Sequence, residues 1–223
     1  MVWKIFSKKS KKKKKVISYE EAKALAVDGD EKSRADLAGR NDVPREVLYY
    51  LADDPSPNVR KSIASNTAAP EHADLLLAKY KNENVRSSLA KKIARLSPGL
   101  TADEQNRLRH MTYDALSILA KDQATRVRQI LSEALRDVAN APPDVIRRLA
   151  WDVEAAVATP ALQFSLILND EDLIEIIRAK PSEGCTQTVS QRENVSNAVS
   201  SAIVDSSDTD AIALLLGNDS AQI

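Results

Sequence analysis

A motif that returns every 26 residues constrains this chain more than any other feature. Ser33-Arg34-Ala35-Asp36-Leu37-Ala38 is echoed by Val59-Arg60-Lys61-Ser62-Ile63-Ala64, and again by Val85-Arg86-Ser87-Ser88-Leu89-Ala90. A fixed period of 20–50 residues marks a repeat architecture, in which a unit buries its apolar face only by stacking on its neighbours. Such stacks offer binding surface far more often than they perform chemistry.

Each unit has the same order of signals. A polar turn leads into Val-Arg, and apolar residues at i and i+4 (Val59 and Ile63, Val85 and Leu89) predict one face of a helix. A segment opened by proline follows, Val43-Pro44-Arg45-Glu46-Val47-Leu48 in one unit and Ala69-Pro70-Glu71-His72-Ala73-Asp74 in the next. Proline suits the first helical position, where its missing N–H would have no partner. Leu48 and Leu51, then Leu75 to Leu77, supply the stripe of this second helix.

The pattern resumes at Val127-Arg128-Gln129-Ile130-Leu131, and Val153-Glu154-Ala155-Ala156-Val157-Ala158 is expected to continue it 26 residues later. Between them, Pro142, Val145, Leu149, Ala150 and Asp152 repeat Pro44, Val47, Leu51, Ala52 and Asp54 at one constant offset. The intervening stretch reads as a longer helical hairpin. Thr101-Ala102-Asp103-Glu104 forms a capping-box pattern, and Leu108, Met111, Leu116 and Leu119 follow at helical spacing. Ser18-Tyr19-Glu20-Glu21 is a second capping box, opening the first helix through Ala26. Towards the C-terminus, Asp170 to Ala179, Asn194 to Val204 and Asp208 to Leu216 keep helical spacing but match the repeat loosely, as end units do.

With Val47-Leu48-Tyr49-Tyr50-Leu51-Ala52, Leu89-Ala90-Lys91-Lys92-Ile93-Ala94 and Asn169-Asp170-Glu171-Asp172-Leu173-Ile174-Glu175-Ile176-Ile177, the chain resembles HEAT-type repeats in their short, leucine-rich-repeat-variant form. From Tyr19 onward it resembles a bacterial family of HEAT-like proteins known as a domain of unknown function. The resemblance implies a fold and no activity. Some leucine-rich-variant proteins hold an iron–sulfur cluster on four cysteines, and the single Cys185 excludes that cofactor. The expected fold is therefore an all-α, HEAT-like α-solenoid. Its parts are a disordered polybasic arm (1–17), N-terminal repeats (18–98), a hairpin with further repeats (99–160) and degenerate capping repeats (161–223).

The formal net charge of zero hides a strong asymmetry. Residues 1–15 hold eight lysines and no acid, which leaves 24 basic against 32 acidic residues in the rest. Residues 181–223 have one base, Arg192, against six acids. One cysteine cannot close an internal disulfide, which suits a reducing cytoplasm. No apolar run approaches the roughly 18–20 residues that span a bilayer, and no apolar segment follows the N-terminal charges as a secretory signal would require.

The arm combines Trp3, Ile5 and Phe6 with Lys4, Lys8, Lys9, Lys11, Lys12, Lys13, Lys14 and Lys15. Aromatics enter the headgroup boundary, and lysines near anionic lipid gain about 1 kcal/mol each before mutual repulsion and screening. This composition reads as a reversible anchor on an anionic membrane surface; Val2 stands where N-myristoylation needs glycine. Non-specific phosphate binding to nucleic acid and an inert solubility arm are the alternatives. The acidic body counts against nucleic acid, and Trp3 counts against an inert arm.

Arg34, Arg60, Arg86 and Arg128 recur at one position and read as stack supports, with Asp30, Asp54, Asn82 and Asp122 as available partners. His72, His110 and Cys185 are too far apart in sequence for a zinc motif. No glycine-rich phosphate loop or nucleophile elbow is present. Some HEAT-like proteins are DNA glycosylases using Trp and Asp; Trp151-Asp152 matches in name only, since the repeat already accounts for Asp152. Tyr49, Tyr50 and Trp151 lie on second helices and form the candidate partner surface, exposed aromatics being typical interface anchors. The reading is a non-enzymatic scaffold without cofactor or metal, cytoplasmic or peripheral at the inner membrane, binding an unidentified protein. A soluble adaptor with an inert tail and a nucleic-acid-associated protein are the alternatives.

Overall fold

The computed structural model describes residues 16–96 and 105–223, with side chains for 16–93 and 111–223. The arm residues 1–15, the Thr101 capping box and the side chains of Leu108 and His110 lie outside the described residues. Among the described residues the chain is all-helical, with fourteen helices and no strand. One row, the Val-Arg row after the motif carried by α4, α6 and α8, holds α2 (Glu31–Ala38), α4 (Pro57–Ser65), α6 (Glu83–Leu96), α8 (Thr125–Leu135), α10 (Ala155–Phe164), α12 (Cys185–Ser190) and α14 (Thr209–Leu216). Between them in sequence run α1 (Tyr19–Asp28), α3 (Arg45–Leu51), α5 (Glu71–Ala78), α7 (Gln105–Leu119), α9 (Pro143–Ala150), α11 (Asp170–Ala179) and α13 (Asn197–Asp205).

Every Val-Arg helix packs on the next Val-Arg helix, from α2 through to α14. In the second row α1 packs on α3, α3 on α5, α5 on α7, and α11 on α13, while most consecutive helices pair across the rows. The core runs along the seam. Val59, Ile63, Val85, Leu89, Val127 and Leu131 are fully buried in one row, and Leu48, Leu51, Leu77 and Leu149 in the other. A fully buried side chain of this size contributes about 1.5–3 kcal/mol. Helices of seven to eleven residues such as α3 and α8 would not persist alone, so packing supplies their stability.

The caps explain where the helices begin. Ser18 and Glu21 form a reciprocal capping box on α1, and Asn169 and Asp172 form another on α11. Pro44, Pro70 and Pro142 sit at the N-cap rather than at the first helical position predicted from the sequence. There the proline carbonyl accepts the first helical hydrogen bond, from Leu48 to Pro44 at 3.1 Å. Its missing N–H costs nothing, because that position donates no bond within the helix.

Two further corrections concern register. Val153 does not continue the repeat: it is 73% exposed, and Val157 occupies the buried valine position. The α8 unit is longer than the α4 unit, since α8 has 11 residues where α4 has 9, and this pushes the next unit downstream. The sequence reading also missed α12. It is a six-residue helix in which Thr186 and Ser190 are buried alongside Val189, so its buried face has no hydrophobic signature. Gly184 at φ 72° turns the chain into it, a left-handed conformation that favours glycine.

Asparagines fasten successive units. Asn66, after α4, donates from Nδ2 to the carbonyls of Ala38 at 2.7 Å and Arg40 at 2.9 Å, at the end of α2. Asn218, after α14, donates to Ser190 at 2.9 Å and Arg192 at 2.8 Å, at the end of α12. Arg192 does the same for α10, donating to the carbonyls of Leu162 and Ser165. The last carbonyls of a helix have no partner within it, and here the following unit provides one. Asn66→Ala is therefore expected to cost about 2 kcal/mol, the desolvation penalty of buried carbonyls left unpaired, read as a lower urea midpoint at unchanged m-value.

Candidate functional site

The arginine ladder is occupied internally. Arg34, on α2, grips Asp54 with Nε at 2.7 Å and Nη2 at 3.2 Å, and donates to the Gly29 carbonyl at 2.7 Å. Arg128, on α8, grips Asp152 in the same way, at 2.6 Å and 3.0 Å, and donates to the Asp122 carbonyl at 2.7 Å. Arg86, on α6, makes the corresponding fork to Asp122 and donates to the Tyr80 carbonyl. Arg60 departs from the pattern because Tyr80 stands where its carboxylate would be. Its guanidinium lies 4.0 Å from the Tyr80 ring centroid, and it turns back to Asp53 at 3.1 Å.

The accepting carboxylates have a second task. Asp54 accepts from the Ser56 amide, Asp122 from the Ala124 amide and Asp152 from the Glu154 amide, all at the start of the next Val-Arg helix. Burial pushes Asp152 up, but Arg128 and the Glu154 amide outweigh it and hold the carboxyl below its ordinary range. Of the other residues named as partners for the ladder, Asp30 caps α2 through the Ser33 amide and Asn82 caps α6 through the Val85 amide.

One unit carries charge into the core. Asp74 on α5 occupies the place that Leu48 and Ile146 fill on α3 and α9, four residues after the N-cap proline. The Lys92 ammonium on α6 donates to its carboxylate, and both side chains are buried. Burial pushes Asp74 up to about 6, against the opposing pull of Lys92.

The open surface is at α3 and α5. Tyr49 and Tyr50 are 48% and 57% exposed. Tyr49 stands edge-on to His72, with ring centroids 6.4 Å apart. A hollow of about 400 Å³ lined by Arg45, Glu46, Tyr49, Pro70 and His72 lies on one side of it. A second, of about 510 Å³, lies between Tyr49, Tyr50, Pro55 and Leu76, with Asp53 and Asp54 at its edge. Arg45 and Glu71 pair at 3.0 Å on the rim. Trp151, partly exposed at the end of α9, lines neither hollow, so the structure brings Tyr49 and Tyr50 together with His72 but leaves Trp151 apart. His72 joined this surface without any signal in the sequence, because its partner comes from the neighbouring unit.

Cys185 is buried beside Thr186. Among the described residues, no group of three or more His, Cys, Asp or Glu side chains is placed to hold a metal ion, and no helix is long and apolar enough to cross a membrane. Residues 157–223, spanning most of α10 through α14, match a family described as an uncharacterised protein conserved in bacteria (DUF2336). No curated protein and no solved structure matches the chain.

The buried pair yields a prediction with a definite sign. The folded chain keeps the Asp74 proton up to about pH 6, whereas the ordinary carboxyl loses it near 3.8. Asp74 therefore contributes stability that is complete below about pH 4 and lost as pH rises through 6. Lys92→Met, which strands the carboxylate, is expected to cost about 3 kcal/mol at pH 8. Asp74→Leu with Lys92→Met is expected to be more stable than the parent at pH 8 by about 1–4 kcal/mol. Urea unfolding from pH 8 to pH 4 should show that margin shrinking as the parent regains its proton.

Proposed function

We propose that this chain is a non-enzymatic, HEAT-like repeat scaffold. It binds a protein partner through the Tyr49–Tyr50 surface and is held peripherally at the inner membrane by its N-terminal arm. The observation that favours a scaffold is the pair of exposed tyrosines flanked by open hollows on short, firmly packed helices. Tyrosine presents a large amphipathic area at low entropic cost, and rigid backing keeps that cost low. The charged side chains with the closest contacts, the ladder arginines and turn aspartates, are engaged with one another, which supports a structural role for them. The HEAT-like reading draws support from the 26-residue period and from the two-row packing of the helices.

The membrane part rests on composition: Trp3, Ile5 and Phe6 beside eight lysines, ahead of a body in which acids outnumber bases. Such an arm combines apolar insertion with attraction to anionic headgroups, two modest contributions that together give reversible attachment. Nucleic acid would meet the same lysines but also the acidic body.

Co-sedimentation with liposomes tests the arm. The full chain should bind vesicles containing anionic lipid and not neutral ones, and a chain beginning at Val16 should bind neither. Trp3→Ala with Phe6→Ala should weaken binding at least about tenfold, since two buried aromatics are worth more than about 1.4 kcal/mol. Equal binding by the shortened chain would remove the membrane reading, and binding that depends on the lysines alone would redirect it to polyanions. For the partner surface, Tyr49→Ala with Tyr50→Ala should leave the thermal midpoint within a few degrees and abolish retention of whatever protein the parent captures. Retention unchanged by the double substitution would place the interface elsewhere.

A further inference from the structure

A hollow of about 620 Å³, larger than either beside Tyr49, lies between α2 and α4 and shares no wall with them. Its origin is a local loss of side chain. One and five residues after the ladder arginine, α4 carries Lys61 and Ser65, α6 carries Ser87 and Lys91, and α8 carries Gln129 and Glu133. Alone among these arginine-bearing helices, α2 has Ala35 at the first place and Gly39, just past its end, at the second. Two small residues therefore stand across the gap from Lys61, Ser62 and Ser65, and the space stays open.

The hollow is clamped at both ends. At the start of the two helices Asn58 donates to Glu31 at 2.7 Å. At their far ends Asn66 spends its amide on the Ala38 and Arg40 carbonyls and its oxygen on the Ala68 amide. The walls are thus held in place before any ligand arrives, which lowers the cost of binding.

What the clamps leave over is a set of donors. The Lys61 ammonium and the hydroxyls of Ser62, Ser65 and Thr67 meet no partner among the described residues. Lys61 is the one ionised side chain in the walls, and no carboxylate stands among them. Asp36, next to Ala35 in the chain, is exposed and takes no part in the walls. A hydroxyl donates or accepts, but an ammonium only donates. A pre-formed hollow with one positive charge and three free hydroxyls suits an oxyanion. A phosphoryl group offers three strong acceptor oxygens, and hydrogen bonds to a charged acceptor are shorter and stronger than neutral ones. The hollow is larger than a phosphoryl group alone, so room remains beside Ala35 and Gly39 for the organic part of a ligand.

We propose that the hollow between α2 and α4 binds a small phosphorylated molecule. Lys61 and the hydroxyls of Ser62, Ser65 and Thr67 take the phosphoryl oxygens, and the organic part rests on Ala35 and Gly39. The site goes beyond the scaffold reading and does not require it.

Amide resonance shifts of the full chain, titrated with glycerol 3-phosphate, inorganic phosphate and glycerol, test the proposal residue by residue. Glycerol 3-phosphate should give saturable shifts at residues 35–41 and 58–67. Inorganic phosphate should act at the same residues with weaker affinity, and glycerol should not act there. Lys61→Met should weaken the binding about tenfold, the effect of losing one charge-assisted bond, while Lys121→Met on a distant turn should leave it unchanged. Gly39→Glu, which places in α2 the residue that α8 carries, should abolish it. Gly39 has φ −84°, and a Cβ there comes no closer than 3.7 Å to a neighbour, so this substitution should keep the thermal midpoint. No saturable shift with either phosphate, or shifts confined to the lysines of the N-terminal arm, would overturn the proposal. So would equal weakening by Lys61→Met and Lys121→Met, which indicates diffuse attraction, or undiminished binding by the Gly39→Glu chain. Inorganic phosphate binding as tightly as glycerol 3-phosphate would remove the organic part from the assignment.

Discussion

A turn carboxylate that serves two units at once is the interaction on which this stack depends. Asp54, Asp122 and Asp152 each accept the amide of the N-cap residue of the helix that follows and receive the forked guanidinium of the helix before. The same arginine donates to a carbonyl of its own turn, so one side chain joins both ends of a unit to its successor. Because these groups are largely shielded from water, their charge-assisted bonds are stronger than exposed ion pairs. Without them, helices of two or three turns would have to hold their mutual angle by apolar contact alone.

Small residues complete the arrangement. Alanines 38, 64 and 90 lie where one Val-Arg helix meets the next, and their size lets the backbones approach closely. Close approach brings the carbonyls at the end of one helix within reach of Asn66, Arg192 or Asn218 from the next. The price of this regularity is that a charged or large polar side chain within the seam must find a partner, although the small Ser132 hydroxyl stays buried without one. Asp74 does so in Lys92, and Tyr80 does so by stacking under Arg60. The open surface is then whatever the seam does not consume, which is why Tyr49 and Tyr50 stand out on the second row.

Much of this was legible residue by residue. The buried valines and leucines follow from their spacing of four, and the offset that aligns Pro44–Asp54 with Pro142–Asp152 carries the burial of Val145, Leu149 and Ala150 with it. The capping box at Ser18 was readable because all of its partners lie within four residues. Legibility failed wherever a feature needed a neighbour from another unit. Val153 and Val157 are equally apolar, and only the longer α8 unit decides which is buried. Asn66 and Asn218 do the same work, yet nothing in their flanking sequence resembles a motif. The α12 helix was invisible because it buries threonine and serine rather than leucine.

The sequence by itself determined the helices other than α12, their alternation and the side of each that turns inward, because those follow from local periodicity and from caps closed within a turn. It also set the charge contrast between arm and body, which needs no coordinates. Only the tertiary structure decided the register between units, the pairing of Asp74 with Lys92, the meeting of Tyr49 with His72, and the exposure of Leu25, Val204 and Leu216 at the two ends. The physical reason is the same in each case. A helix knows its own faces from its own residues, but what covers a face is settled by the unit stacked against it.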